Sequence, residues 1–169
     1  MATRRTVLLL RHAQTEETRP GGRDFDRQLT AEGEAQSRAL GAFLAGQGVT
    51  VDAVLCSASV RTRQTLGELG LSLPDAGRLD LSSDYYNAGS DTLVEALRDL
   101  DQDCRTVLVV GHAPGVPSVA YELADPETSD AAALAAIDGR FPAATLARLE
   151  FTGDWADLET AALVGVRLP

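Results

Sequence analysis

Two short apolar runs, Thr6-Val7-Leu8-Leu9-Leu10 and Thr106-Val107-Leu108-Val109-Val110, break off abruptly into Arg11-His12-Ala13 and Gly111-His112-Ala113. An unbroken apolar run of this length reads as a strand buried on both faces, as in a parallel sheet. Asp52–Cys56 is a second apolar strand, Leu79–Leu81 a short one, and Ala144–Phe151 and Ala161–Leu168 read as strands, with Trp155 on the connection between the last two. Helical patterning fills the intervals. Thr30 is an N-cap for a helix to about Ala45, in which Ala35, Ala39, Phe43 and Leu44 fall near helical spacing before Gly46 and Gly48 stop it. Ser59 caps a helix from Val60 to about Leu69, and Ser90 or Asp91 opens a third containing Leu93, Leu97 and Leu100. Pro114 suits the first turn of a helix to Leu123, and Asp130–Ala136 reads as a further helix. Strands alternating with helices predict an α/β fold, a three-layer sandwich with a mostly parallel central sheet.

Composition narrows the class. At 169 residues the chain suits a single domain, 1–169, with no linker dividing it. Arg4 and Arg5 precede apolar residues, but the run ends at Leu10, too short for a secretory signal or a membrane span. A cytoplasmic protein with no membrane partner is expected. Cys56 and Cys104 lack metal-type spacing and a disulfide framework, and Cys56 reads as a small buried residue closing a strand. A net charge of −10 excludes a non-specific nucleic-acid binder. All 15 cationic side chains are arginines, whose planar forks match phosphate oxygens, so a local cluster can bind phosphate on an acidic protein.

Ligands of α/β sheets bind beyond the carboxyl ends of the strands, where the two histidines lie. Arg11 makes that end cationic and, following a buried strand, requires an anion or a carboxylate partner. A phosphate ester fits, with His12 as nucleophile. A metal site is the rival functional reading. Two histidines do not complete a first shell, and the guanidinium beside His12 opposes a divalent cation, so neither metal nor cofactor is expected. Ser57 and Arg61, four apart after a strand, share a face if a helix begins near Ala58, and its N-terminus adds free amides for an anion. The plainer alternatives are structural histidines, a salt-bridged Arg11, and Arg61 and Arg63 as solvated surface charges.

Taken in order, Arg11-His12-Ala13, Leu29-Thr30-Ala31-Glu32-Gly33, Ser57…Arg61-Thr62-Arg63-Gln64-Thr65 and Val110-Gly111-His112-Ala113-Pro114 resemble the histidine phosphatase superfamily, also called phosphoglycerate mutase-like. Arg27-Gln28-Leu29-Thr30, Tyr86-Asn87-Ala88, Phe141-Pro142-Ala143 and Trp155 resemble its small SixA-type phosphohistidine phosphatases. The resemblance implies a metal-independent phosphatase in which His12 takes the phosphoryl group, while Arg11, Arg61 and His112 surround its oxygens. Thr15, with Ser57 or Arg27, would add secondary substrate contacts. Many relatives place a glutamate after the third strand as general acid. Here Ser83-Asp84-Tyr85-Tyr86 offers only Asp84, either a general acid or a turn aspartate. Absence of an acid suits a phosphoramidate, so a phosphohistidine on a protein is the expected substrate. A small-molecule phosphomonoesterase and a non-catalytic phosphate sensor are the alternatives.

Overall fold

The computed structural model describes residues 3–75 and 78–169. Its strands are β1 (Arg4–Arg11), β2 (Ala53–Ser57), β3 (Leu79–Ser82), β4 (Thr106–Gly111), β5 (Leu146–Thr152) and β6 (Ala162–Arg167). The helices are α1 (Ala31–Gly46), α2 (Val60–Glu68), α3 (Ser90–Arg98), α4 (Gly115–Leu123) and α5 (Ala131–Ile137). The strands form one sheet in the order β3-β2-β4-β1-β5-β6. All neighbouring strands from β3 to β1 run parallel, whereas β5 is antiparallel to both β1 and β6.

The sequence echo becomes the register of the sheet: Thr6 lies opposite Thr106, and so on pairwise to Arg11 opposite Gly111. Val7, Leu8, Leu9 and Leu10 are each 0% exposed, because helices cover both faces. Val7 and Leu9 join a core with Leu93, Leu97, Val116 and Ile137 of α3, α4 and α5. Leu8 and Leu10 pack with Leu40, Leu44 and Leu66 of α1 and α2. The chain therefore leaves β1 toward one face and β4 toward the other. Adjacent parallel strands whose connections diverge open a crevice at their carboxyl ends, and both histidines stand there.

A side-chain cap starts two of the five helices, α1 and α5, whereas Ser59 stands before α2 without a side-chain cap bond. Thr30 accepts the Gly33 N–H, and Asp130 accepts the Ala133 N–H at 2.8 Å. Three other starts differ from expectation. Gly89 precedes α3, with Ser90 already helical, while Pro114 stands just before α4, where its missing N–H costs no helical bond. Strand β5 begins at Leu146, not Ala144. Ala144 takes a left-handed φ of 63°, uncommon for a residue with a Cβ, and its N–H reaches the carbonyls of Arg11 and His12.

At the opposite end of the sheet, Arg5 is 2% exposed and donates to the carbonyls of Gly153, Gln102 and Cys104. Trp155 donates to the same Cys104 carbonyl, so the last connection is anchored on β1. Both cysteines are free and buried, and burial pushes the Cys56 thiol up to about 12, as a packing residue requires. Among the described residues no helix is long and apolar enough to cross a membrane.

Candidate active site

The carboxyl ends of β1, β2 and β4 deliver His12, Ser57 and His112 to one place. The His12 and His112 rings lie 5.3 Å apart between centroids. The His12 Nδ1 lies 2.8 Å from the Ala13 carbonyl, an acceptor only, so Nδ1 carries the proton and Nε2 keeps its lone pair. His112 Nε2 lies 2.8 Å from Ser57 Oγ. The same Oγ accepts the Ser59 N–H, and its own O–H has no acceptor among the described residues other than His112 Nε2, so it donates there. His112 is then also protonated on Nδ1, and that atom is buried with no hydrogen-bond partner among the described residues.

Helix α2 brings Arg61 to the cluster, 6% exposed. Both terminal nitrogens are engaged: Nη1 donates to the Asp24 carbonyl at 2.7 Å and Nη2 to its carboxylate at 3.0 Å. Arg11 donates Nη1 to the Phe141 carbonyl at 2.8 Å, and none of its nitrogens forms an ion pair among the described residues. The Nε of each arginine is buried without a partner among the described residues. Two guanidinium edges and an imidazole donor thus remain for an anion beside the His12 lone pair. Buried donors of this kind are costly to leave unmade, so the cluster is built to receive acceptors.

Burial first, then the nearby guanidiniums of Arg61, Arg11 and Arg27, push His12 down to about 4. Burial and Arg61 push His112 down to about 3. Both rings are neutral near pH 7. Burial and Arg61 also lower Arg11 from its ordinary value.

The rest of the arginine motif is structural. Thr65 Oγ1 accepts the Ala13 N–H and donates to the Arg61 carbonyl, while Gln64 accepts the Leu29 N–H at 2.8 Å. These bonds fasten α2 to the loop after His12. Arg63 points to solvent.

Thr15 joins the rim through its hydroxyl, which bonds Arg27. Asp84 does not join. It is exposed in the turn Ser83–Tyr85, its N–H bound by Ser82, and no ion pair or side-chain contact links it to the histidines. The carboxylate in the cluster is Asp24, from the turn Asp24–Asp26. It accepts from Tyr86 and pairs with Arg27 at 3.0 Å as well as with Arg61. The Tyr86 hydrogen bond, with those of Arg27 and Arg61, holds Asp24 well below the usual carboxylate range. Tyr86 meets His112 edge-on at 5.4 Å and Phe25 at 5.0 Å. Sequence reasoning missed Asp24 and Phe25 and took Tyr86 only as a branch marker. The one available signal was an aspartate three residues before Arg27 in a polar loop.

A family model of the histidine phosphatase superfamily (branch 1) matches residues 7–80. Phosphohistidine phosphatase SixA of Escherichia coli strain K12 is 33% identical over 126 residues, 72% of this chain and 76% of that protein. A solved structure from Nakamurella multipartitia, assigned as a phosphohistidine phosphatase SixA, aligns with a TM-score of 0.84 at 37% identity, covering 99% of this chain and 98% of that one. The protein histidine phosphatase SixA complexed with tungstate aligns at 0.76 with 25% identity, covering 95% of both chains. The ordered motifs, the sheet and these likenesses agree: the chain belongs to the histidine phosphatase superfamily, in its SixA-type branch.

Proposed function

We propose that this protein is a metal-independent phosphatase that removes the phosphoryl group from phosphohistidine on a protein, through a phosphohistidine intermediate on His12. One observation carries the reading. His12 is neutral with Nε2 unprotonated, His112 lies 5.3 Å from it, and in the same cluster Arg11 Nε, Arg61 Nε and His112 Nδ1 are buried with no partner among the described residues. In the first step Nε2 attacks phosphorus, and the bond from phosphorus to the leaving imidazole breaks. That imidazole nitrogen leaves with a proton acquired from solvent. The two guanidinium edges and His112 hold the equatorial oxygens. Water then attacks the phosphoryl group on His12, releasing phosphate and restoring the free imidazole.

The acid–base setting supports the substrate class. Asp84 stands at the surface, and Asp24 is held ionised by three donors. Neither offers a carboxylic proton to an alkoxide leaving group. A phosphoramidate nitrogen is basic enough to be protonated by solvent. The SixA complexed with tungstate, a tetrahedral oxyanion, supports an oxyanion site in this branch. Flanking guanidiniums disfavour a divalent cation at the imidazoles.

The test compares kcat/KM for a histidine-phosphorylated protein and for an alkyl phosphate, both with a chelator present. A preference of at least about 100-fold for the phosphohistidine is expected, since an unassisted alkoxide forfeits general-acid catalysis worth roughly that much. Faster alkyl phosphate hydrolysis would contradict the substrate class, and loss of turnover with the chelator would contradict metal independence.

A further inference from the structure

We propose that Asp24 is a positioning residue that turns Arg61 edge-on to the reacting group and limits how tightly the site holds free phosphate. This rests on the phosphatase reading above. The turn Asp24–Asp26 lies in a polar, largely exposed loop, yet Asp24 grips a nearly buried arginine. Its backbone carbonyl takes Arg61 Nη1 and its carboxylate takes Nη2. A guanidinium held at both terminal nitrogens cannot rotate them toward an incoming anion. Only the ε edge remains, and Arg61 Nε is the atom without a partner.

The grip is itself braced. The carboxylate oxygen that takes Arg61 also accepts the Tyr86 hydroxyl, and the other pairs with Arg27. Arg27 in turn donates to the Glu16 carbonyl at 2.8 Å and bonds the Thr15 hydroxyl. Tyr86 is fixed by Phe25 on one side and His112 on another, with the Arg61 guanidinium 5.6 Å from its ring centroid. Asp24 therefore links the histidine loop, α2 and the segment after β3 into one frame around Arg61.

Two opposing consequences follow from the charge. With Asp24 present, the Nη1–Nη2 fork is already occupied, only the Nε–Nη2 edge is left for phosphate, and a negative charge stands beside the anion site. Remove the carboxylate and that negative charge goes while Nη2 is released, Nη1 staying on the Asp24 backbone carbonyl; phosphate then meets a more cationic Arg61 that no longer holds the angle the transition state needs. Affinity for product should rise while turnover falls. A merely structural residue would lower both.

The experiment uses the full chain and the variants Asp24→Asn and Asp24→Ala, with Asp26→Asn as a control in the same turn. Asp26 pairs only with exposed Arg23 among the described residues. Inorganic phosphate affinity is measured by calorimetry, and kcat and KM on p-nitrophenyl phosphate. We expect Asp24→Asn to bind phosphate about fivefold tighter and to lose about tenfold in kcat, with Asp24→Ala more affected and Asp26→Asn unchanged. Tyr86→Phe, which removes one brace, should move both quantities the same way by less. Unchanged or weaker phosphate binding in Asp24→Asn overturns the proposal, as does an unchanged kcat. Should the unsubstituted chain turn over no substrate, the phosphatase reading fails. Phosphate affinity then still decides the Asp24 assignment: tighter binding supports it, and no change or weakening overturns it.

Discussion

The two imidazoles carry their protons on the same nitrogen but present opposite edges to the site. His12 offers the Nε2 lone pair because the Ala13 carbonyl takes Nδ1–H, and His112 offers Nδ1–H because Ser57 donates to Nε2. Ser57 is thus the residue that decides what His112 can do, although it is 0% exposed and need not touch substrate. Ser57→Ala should lower kcat about tenfold, the value of one hydrogen bond of roughly 1.4 kcal/mol, with a smaller change in KM. Steady-state kinetics on p-nitrophenyl phosphate checks this, and an unchanged kcat would show that the tautomer is set otherwise. At this scale the sequence was legible where chemistry sits next to periodicity. Arg11, His12 and His112 announce themselves by ending apolar runs, and Ser57 and Arg61 by their spacing after another. Asp24 gives no such signal, because its partners Arg61 and Tyr86 lie 37 and 62 residues away and a loop carries no period that would bring them together.

Elements place these side chains by close backbone contact as much as by core packing. The start of α1 lies against the loop after His12 so tightly that a Cβ on Gly33 would sit 2.1 Å from the Gln14 carbonyl oxygen. No rotamer relieves an overlap with backbone, so Gly33→Ala must move either the helix or the loop that carries Thr15. We expect a loss of about 2–3 kcal/mol in urea unfolding, the upper range for overpacking, together with a lower kcat/KM. Gly46→Ala, near which nothing lies within 4 Å, is the matched control and should stay within about 1 kcal/mol of the parent. If the two behave alike, the contact at Gly33 does not constrain the loop. The order of strands and α-helices was legible because the apolar runs and helical stripes face the core, the edge strand β3 with its exposed Leu81 apart. The direction of β5 was not, since antiparallel pairing with β1 comes from tertiary placement and leaves no mark in a run that reads as strand either way. The start of β5 was likewise hidden, because Ala144 is apolar but is bent into a left-handed turn that binds the carbonyls of Arg11 and His12.

For the molecule as a whole, burial of the two histidines, with guanidiniums beside them, makes stability depend on pH. In the fold His12 titrates at about 4 and His112 at about 3, against 6.5 for an ordinary histidine. Between those values the unfolded chain binds more protons than the folded one, so stability rises with pH there. It is present in full above about 6.5 and is lost as pH falls through about 4, with His112 still contributing to about 3. Each histidine supplies a slope of up to about 1.4 kcal/mol per pH unit. Urea unfolding between pH 4 and pH 7 should therefore flatten in His12→Gln, and an unchanged slope would refute the lowered value. The α/β layering and the convergence of the two strand ends were legible at this scale, because equal runs of buried strand pair in register. The most direct measurement is mass spectrometry of the chain quenched during turnover of an activated phosphate ester. The account predicts a phosphoryl adduct on His12 that is absent from His12→Ala. Turnover with no adduct on His12, or an adduct that persists in His12→Ala, would contradict it.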